Sequence, residues 1–352
     1  MNKMEMILKV LGKYLSPLPE YSLTESKYLP QILDRIASKD DLKILLQIPN
    51  RPGKVAELMN ISEKEAATRL NDLYMRGFIW IEENTEGGPK YCFGDIGLFM
   101  DGVLFDPRYD RYGDEFFDIW KKYWNEEHVH MYQGDHIFRV LPVEEVIRST
   151  KIITYESVTA MLENASRIAI LRCACRVKER RCDNPLETCI AIDGTADYII
   201  SRDIGREISY DQAIEVTKKS EELGLVHQTV NSANPDVICN CCSCCCGLLR
   251  SVLYHGEEAA LVKSRYLAVF DRKKCANCQD MVCVEKCVFG GISQKDGRLS
   301  IDPNRCWGCG LCARTCPQHA VTLKEVRKPD HIPNEEGRFH PFVAKKDTLK
   351  HV

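Results

Sequence analysis

Along the chain the first apolar positions, Met4, Ile7, Leu8, Leu11 and Leu15, recur at helical spacing and are broken by Lys9 and Lys13, which predicts a short amphipathic helix. From about residue 27 to 95 the same period returns in YLPQILDRIA, DLKILLQI and VAELMN. Ser62 and Glu65 then form a capping box that opens the helix SEKEAATRLNDLYMRG, and Gly77 closes it. Two strands, FIWIEE and KYCF, lie on either side of the turn-rich NTEGGP. Between residues 100 and 150, DEFFDIWKKYWNEE sets Phe116, Phe117, Trp120, Tyr123 and Trp124 at mainly helical spacing, a stripe expected in a core or a subunit interface. From about 150 to 255 helix and strand mix. ESVTAMLENA and ISYDQAIEVTKKSEELG read as helices, the second capped by Ser209 and Gln212 and stopped at Gly224. RIAIL, LVHQTV and PDVIC read as strands; RIAIL runs into Cys173 and PDVIC ends at Cys239.

The elements of residues 27 to 95 resemble a winged helix-turn-helix, which implies either DNA reading by the Ser62 helix or a docking or dimerising role. Charge separates the two. From Lys27 to Lys90 there are ten Lys or Arg and ten Asp or Glu, and the presumed reading helix sets Glu63, Glu65 and Asp72 against Lys64, Arg69 and Arg76. A DNA reader shows a basic stripe, because phosphate neutralisation supplies much of its affinity. Docking or a homodimer through this unit is therefore favoured over DNA. The whole chain, 352 residues with a net charge of −3, gives no sign of nucleic-acid or membrane-surface binding and is long enough for two or three domains. Its N-terminus lacks a continuous apolar stretch with a cleavage site, and no apolar run approaches about 18 residues, so a soluble cytoplasmic protein without membrane insertion is expected.

Cysteine usage changes the picture most. Of nineteen cysteines, Cys92 alone precedes residue 173, where it is expected to pack in the second ribbon strand; the other eighteen lie between Cys173 and Cys316 in tight clusters. Adjacent cysteines rarely bridge each other, so the clustering favours metal over disulfides. CWGCGLCARTCP supplies Cys306, Cys309, Cys312 and Cys316, and CANCQDMVCVEKC supplies Cys275, Cys278, Cys283 and Cys287. Roughly residues 266 to 325 thus resemble the two-cluster bacterial ferredoxins, apart from a four-residue spacing before Cys283 and Val288 in place of proline. Three thiolates of each run hold one cube and the fourth reaches across to the other. This implies one 4Fe-4S cluster on Cys275, Cys278, Cys283 and Cys316, and another on Cys306, Cys309, Cys312 and Cys287.

Ten more thiols occupy the middle region. RCACRVKERRCDNPLETC places Cys173, Cys175, Cys182 and Cys189, and ICNCCSCCCG places Cys239, Cys241, Cys242, Cys244, Cys245 and Cys246. Residues two apart on an extended chain face the same way, so Cys173 with Cys175, and Cys239 with Cys241, are expected to grip one centre. The simplest division is a third 4Fe-4S cluster on the first segment and a fourth centre on the second, with ligands shared between segments as the alternative and a zinc site or spare thiols as another. Vicinal cysteines such as Cys241 and Cys242 are similar to the CCG motifs of heterodisulfide reductase catalytic subunits, which hold non-cubane clusters, although the long spacings of that family are missing. Arg172, Arg176, Lys178, Arg180 and Arg181 crowd the first segment, either compensating cluster charge or offering a surface to an acidic redox partner. No nucleotide, flavin or c-type haem motif occurs.

The expected architecture is α+β and multidomain: a winged-helix-like domain (1–100), a helical connector (101–150), a cysteine-rich mixed α/β metal-binding domain (151–262), a ferredoxin-like module (263–325) and an extended tail (326–352) over a partner or the clusters themselves. The expected function is electron transfer by two 4Fe-4S clusters and one or two further iron-sulfur centres, cubane or non-cubane, as a carrier or as a subunit of an anaerobic oxidoreductase complex. A cluster-sensing winged-helix regulator, and a reductase acting at a special cluster in the Cys173 to Cys246 region, are the alternatives.

Overall fold

Helical periodicity builds the first third of the chain, and strand periodicity builds most of the remaining two thirds. The computed structural model describes residues 1–16, 20–85, 88–132, 137–147, 156–232, 234–256, 260–275, 278, 281–295 and 298–328. Helices α1 (Lys3–Leu11), α2 (Leu29–Ile36), α3 (Lys39–Leu45), α4 (Pro52–Met59) and α5 (Glu63–Met75) lead into an antiparallel ribbon of β1 (Trp80–Thr85) and β2 (Gly88–Cys92). α1 buries Met6, Ile7, Val10 and Leu11, whereas Met4 and Leu15 are exposed because the helix ends before Leu15 and its apolar face is set one step round. Ser62 caps α5 by accepting the Glu65 N–H, while the Glu65 carboxylate turns to Arg69 at 2.6 Å.

Two further helices, α6 (Ile96–Leu104) and α7 (Gly113–Glu126), close on this bundle. Phe116, Phe117, Trp120, Tyr123 and Trp124 are all buried and share one core with α1 to α5, so the aromatic stripe is interior. Trp120 sits edge-on to Phe116 and Tyr123. The same core takes in Ala174 and Val177, which puts the helical half directly against the first cysteine segment.

The central unit comprises β3 (Phe138–Val140), α8 (Val158–Asn164), β4 (Ile168–Arg172), α9 (Ala174–Glu179), β5 (Glu187–Ile192), α10 (Asp193–Ser201), β6 (Gly205–Glu207), α11 (Tyr210–Glu222), β7 (Val226–Val230), β8 (Val237–Cys241), α12 (Gly247–Arg250) and β9 (Leu261–Val262). Its seven strands are ordered β6-β4-β5-β8-β7-β3-β9, antiparallel except for the β3–β9 pair. Ile168, Ile170, Ile190, Ile192 and Ile238 face a core shared with α8 and α11, while Ala169, Leu171, Cys189 and Ala191 face α10 and Trp80. β5 was not among the expected strands. Its residues Thr188 to Ile192 are buried on both faces, so they lack the polar alternation that marks a half-exposed strand.

The remaining unit consists of β10 (Tyr266–Phe270), α13 (Val282–Glu285), β11 (Ile292–Lys295), β12 (Arg298–Ile301), α14 (Leu311–Arg314) and β13 (Val321–Glu325), with β10 paired to β13 and β11 to β12. The fully buried Arg265 fastens it to the sheet domain, binding Glu156 at 2.6 Å and Glu325 at 2.7 Å. Arg202, equally buried, ties α10 to the helical half through the Gly102 and Met75 carbonyls at 3.0 and 3.2 Å. Among the described residues no helix is long and apolar enough to cross a membrane. Of the expected tail, residues 329 to 352 lie outside the described residues.

Trp120 is the fully buried centre of the aromatic core. Trp120→Ala is expected to destabilise the protein by about 3–5 kcal/mol, measured by anaerobic denaturant unfolding; a loss under about 1 kcal/mol would contradict the packing described.

Candidate metal centres

Three neighbouring strands deliver cysteines to one end of the central sheet. β4 ends at Arg172, so Cys173 follows at its tip; Leu171 pairs with Cys189 on β5; and the register of Ile190 opposite Ile238 sets Cys189 beside Cys239 on β8. Cys241 closes β8. Cys239 and Cys241 thus lie two apart on a strand, as expected. Cys173 and Cys175 do not: Cys173 is the N-cap of α9 and Cys175 lies within that helix. Helical geometry brings them together instead, because the first turn folds Cys175 back over the strand end.

The middle-region thiols gather into two groups that cut across the sequence segments. In the first, contacts run from Cys173 to Cys175 and Cys189, from Cys189 to Cys239, from Cys239 to Cys241, from Cys241 to Cys246, and from Cys246 back to Cys175. Six sulfurs therefore form a closed ring. Hydrogen bonds from Cys173 and Cys246 hold the Cys175 thiol well below its usual range, and bonds from Cys189 and Cys241 bring Cys239 down to about 7. The second group is Cys182, Cys242, Cys244 and Cys245. Hydrogen bonding from Cys245 and the nearby Arg176 guanidinium bring Cys242 down to about 4. The sulfurs thus group across the two segments, as in the alternative of shared ligands and not along the simplest division: the loop after α9 carries Cys182 away from Cys173, Cys175 and Cys189 to the turn after β8.

The basic cluster divides by direction. Arg172 binds Asp110 at 2.8 Å with two nitrogens, Arg180 binds Asp114 and Asp118 at 2.8 and 2.6 Å, and Arg181 binds Glu179 at 2.9 Å. Carboxylates of the helical half and of α9 already neutralise these three. Arg176 and Lys178 turn inward and are buried. Arg176 donates to the Asn240 carbonyl at 2.7 Å and the Pro185 carbonyl at 2.8 Å, with its charge beside Cys173, Cys242 and Cys189; Lys178 lies 4.3 Å over the Trp124 ring with its charge beside Cys175. The geometry fits compensation of negative charge on the thiol groups.

In the C-terminal unit, Cys283 lies near Cys278, Cys316 and Cys275, and Cys312 near Cys309, Cys287 and Cys306. Each run ends alike: the Cys287 sulfur accepts the Gly291 N–H at 3.1 Å and the Cys316 sulfur the Ala320 N–H at 3.3 Å. Burial pushes the Cys309 thiol up to about 12. Gly308, at φ +68°, can only be glycine, since a Cβ there would lie 2.2 Å from the Tyr266 carbonyl oxygen. All nineteen cysteines stand as thiols rather than disulfides. Convergent thiols with N–H donors aimed at sulfur form a donor set suited to iron-sulfur clusters or other thiophilic metal.

The 4Fe-4S binding domain family matches residues 299–322. An iron-sulfur protein of Rhodospirillum rubrum is 29% identical over 131 residues, 33% of this chain and 65% of the relative. Hydrogenase-4 component A of Escherichia coli is 26% identical over 89 residues, covering 25% and 43%, and an uncharacterized ferredoxin of Methanocaldococcus jannaschii is 32% identical over 97 residues, covering 26% and 60%. The chain thus spans between 43% and 65% of these relatives' own lengths. No solved structure gives a significant match. The chain carries a ferredoxin-type iron-sulfur domain and, upstream of it, a cysteine-rich region suited to clusters.

Sequence reasoning missed several residues that shape these sites. Trp124 packs over Gly247, next to Cys246, so closely that a Cβ on the glycine would stand 2.2 Å from the indole. Asn240, between two cysteines, points to the opposite side and meets His227 Nδ1 at 2.5 Å; His227 meets Glu221 at 3.3 Å, and Glu221 binds Arg314 of α14 at 3.1 Å. Only strand alternation hinted at this, because the residue between two inward cysteines must face the other way. Cys92 is half-buried against the core beside Trp80, and burial pushes its thiol up to about 11.

Gly247→Ala drives a methyl group into Trp124, a clash expected to cost about 1–3 kcal/mol and to disturb Cys246. Lowered iron content in anaerobically prepared protein, with the C-terminal cluster spectrum retained, is the expected result; wild-type iron and stability would contradict the contact.

Proposed function

We propose that this chain is a multi-cluster electron-transfer protein that works as the iron-sulfur component of a larger oxidoreductase system in a reducing cytoplasm. In this reading Cys275, Cys278, Cys283 and Cys316 hold one 4Fe-4S cluster, and Cys306, Cys309, Cys312 and Cys287 hold a second. The ring of Cys173, Cys175, Cys189, Cys239, Cys241 and Cys246 holds a further iron-sulfur centre with more thiolates than one cubane needs. When bound, such clusters supply one-electron redox chemistry, and the protein sets potential and distance.

One observation carries the reading. Cys309 of the C-terminal unit and Cys239, Cys241 and Cys246 of the ring line a single apolar cluster with Trp307, Phe289, Leu311 and Leu249. Trp307 stacks on Phe289 with ring centroids 5.0 Å apart. A shared apolar layer joins the two thiol groups, as a relay requires. Arg176 and Lys178 favour the more negative, reduced state of what the ring holds.

The helices α2 to α5 and the β1–β2 ribbon we read as a winged helix used for docking within such a complex. Arg69 of α5 and Arg76, which caps its C-terminus, are engaged by Glu65, Asp72 and Asp41, so the described residues of this helix present no basic stripe for DNA. The name of the Escherichia coli relative, a hydrogenase component, supports a partner of the same kind.

Cys309→Ala is expected to remove one cluster, about four irons with four sulfides, and the matching signal of the reduced protein in electron paramagnetic resonance. Unchanged iron, sulfide and spectrum would refute the assignment.

A further inference from the structure

Cys182 lies in the loop between α9 and β5, and Cys242, Cys244 and Cys245 in the turn after β8. Their four sulfurs all stand within 4.8 Å of one another. Cys182 Sγ is 3.8 Å from Cys242 Sγ and 3.7 Å from Cys245 Sγ. These lengths are diagnostic. Four thiolates around a single ion at metal–sulfur distances of about 2.3 Å form a tetrahedron with edges of about 3.8 Å. In a cubane each thiolate binds its own iron at a separate corner, so the four sulfurs are held apart by the whole cluster. The structure draws this contrast internally. Among the described residues, no three cysteines of the ring or of the ferredoxin-like module approach one another as closely as the quartet does.

The quartet also has its own set of donors. Asn184 Nδ2 donates to Cys182 Sγ at 3.4 Å, and the Arg176 guanidinium and the Arg181 backbone stand beside Cys242 and Cys245. Leu225 packs against Cys242 and Cys245 and closes the inner side. Hydrogen bonds to sulfur of this kind orient thiolate ligands and offset the net negative charge of four thiolates on a divalent ion.

We infer that Cys182, Cys242, Cys244 and Cys245 form a separate mononuclear site for one tetrahedral, thiophilic divalent cation, zinc or iron without sulfide. Such an ion ties the loop after α9 to the turn after β8. Those two segments carry ring cysteines on either side, Cys175 and Cys189 flanking Cys182, Cys241 and Cys246 flanking the turn, so the site is a staple for the ring and carries no electrons itself when filled by zinc.

The test uses the full-length protein purified without oxygen, with metals and acid-labile sulfide counted per chain and X-ray absorption recorded at the zinc and iron edges. One zinc per chain, surrounded by four sulfurs at about 2.3 Å, is the expected result; one iron in excess of sulfide supports the same site with the other ion. Cys182→Ser and Cys244→Ser should each abolish that one ion while the sulfide count stays unchanged. Loss of about four irons and four sulfides in these variants, from a wild-type protein that holds neither zinc nor iron in excess of sulfide, would overturn the inference in favour of a cluster. Wild-type protein with iron and sulfide in equal number and no zinc would overturn it too, and needs no variant to fold. Neither outcome bears on Cys309 or the electron-transfer reading, which fails only with the ferredoxin-like clusters.

Discussion

The pairing of β4, β5 and β8 is the constraint that places every other part of the molecule. Antiparallel neighbours alternate in direction, so the end of β4, the start of β5 and the end of β8 meet at one end of the sheet. Each of these termini carries cysteine. A slip of one residue in either register would turn Cys189 or Cys239 to the opposite face and break the ring. The apolar alternation that fixes the register is supplied by the isoleucines at 168, 170, 190, 192 and 238 on one face, so the hydrophobic core of the sheet positions the sulfurs.

Around that end the other units act as walls. The helical half contributes Trp124 beneath Gly247 and the carboxylates of Asp110, Asp114 and Asp118, which occupy Arg172 and Arg180 and leave Arg176 to the thiols, while Lys178 is shared between Cys175 and the Glu179 carboxylate at 3.5 Å. The ferredoxin-like unit closes the opposite side through Trp307 and is held there by Arg265 and by the Arg314–Glu221 contact.

The ferredoxin-like unit was legible in the sequence because its cysteines follow local spacing: Cys306, Cys309, Cys312 and Cys316 sit around one short helix, and the residues between them fix their directions. The N-terminal helices, the ribbon and the aromatic stripe were legible from periodicity for the same local reason. The middle region was not. Cys182 and Cys189 are separated by six residues yet belong to different groups, because an intervening loop and a strand buried on both faces send them apart. Strand order, which decides that β5 lies between β4 and β8, has no local signature. The Cys173–Cys175 pair came together as expected but on a helix instead of an extended chain, since spacing alone does not report the backbone between two residues.

The central claim is that thiols from separate parts of this chain converge to hold iron-sulfur centres in the sheet domain as well as in the ferredoxin-like unit. Iron and acid-labile sulfide, counted per chain in protein purified without oxygen, test it most directly. About twelve or more irons with matching sulfide are predicted, four for each of at least three centres. About eight would confine the clusters to the ferredoxin-like unit and contradict the assignment of the ring.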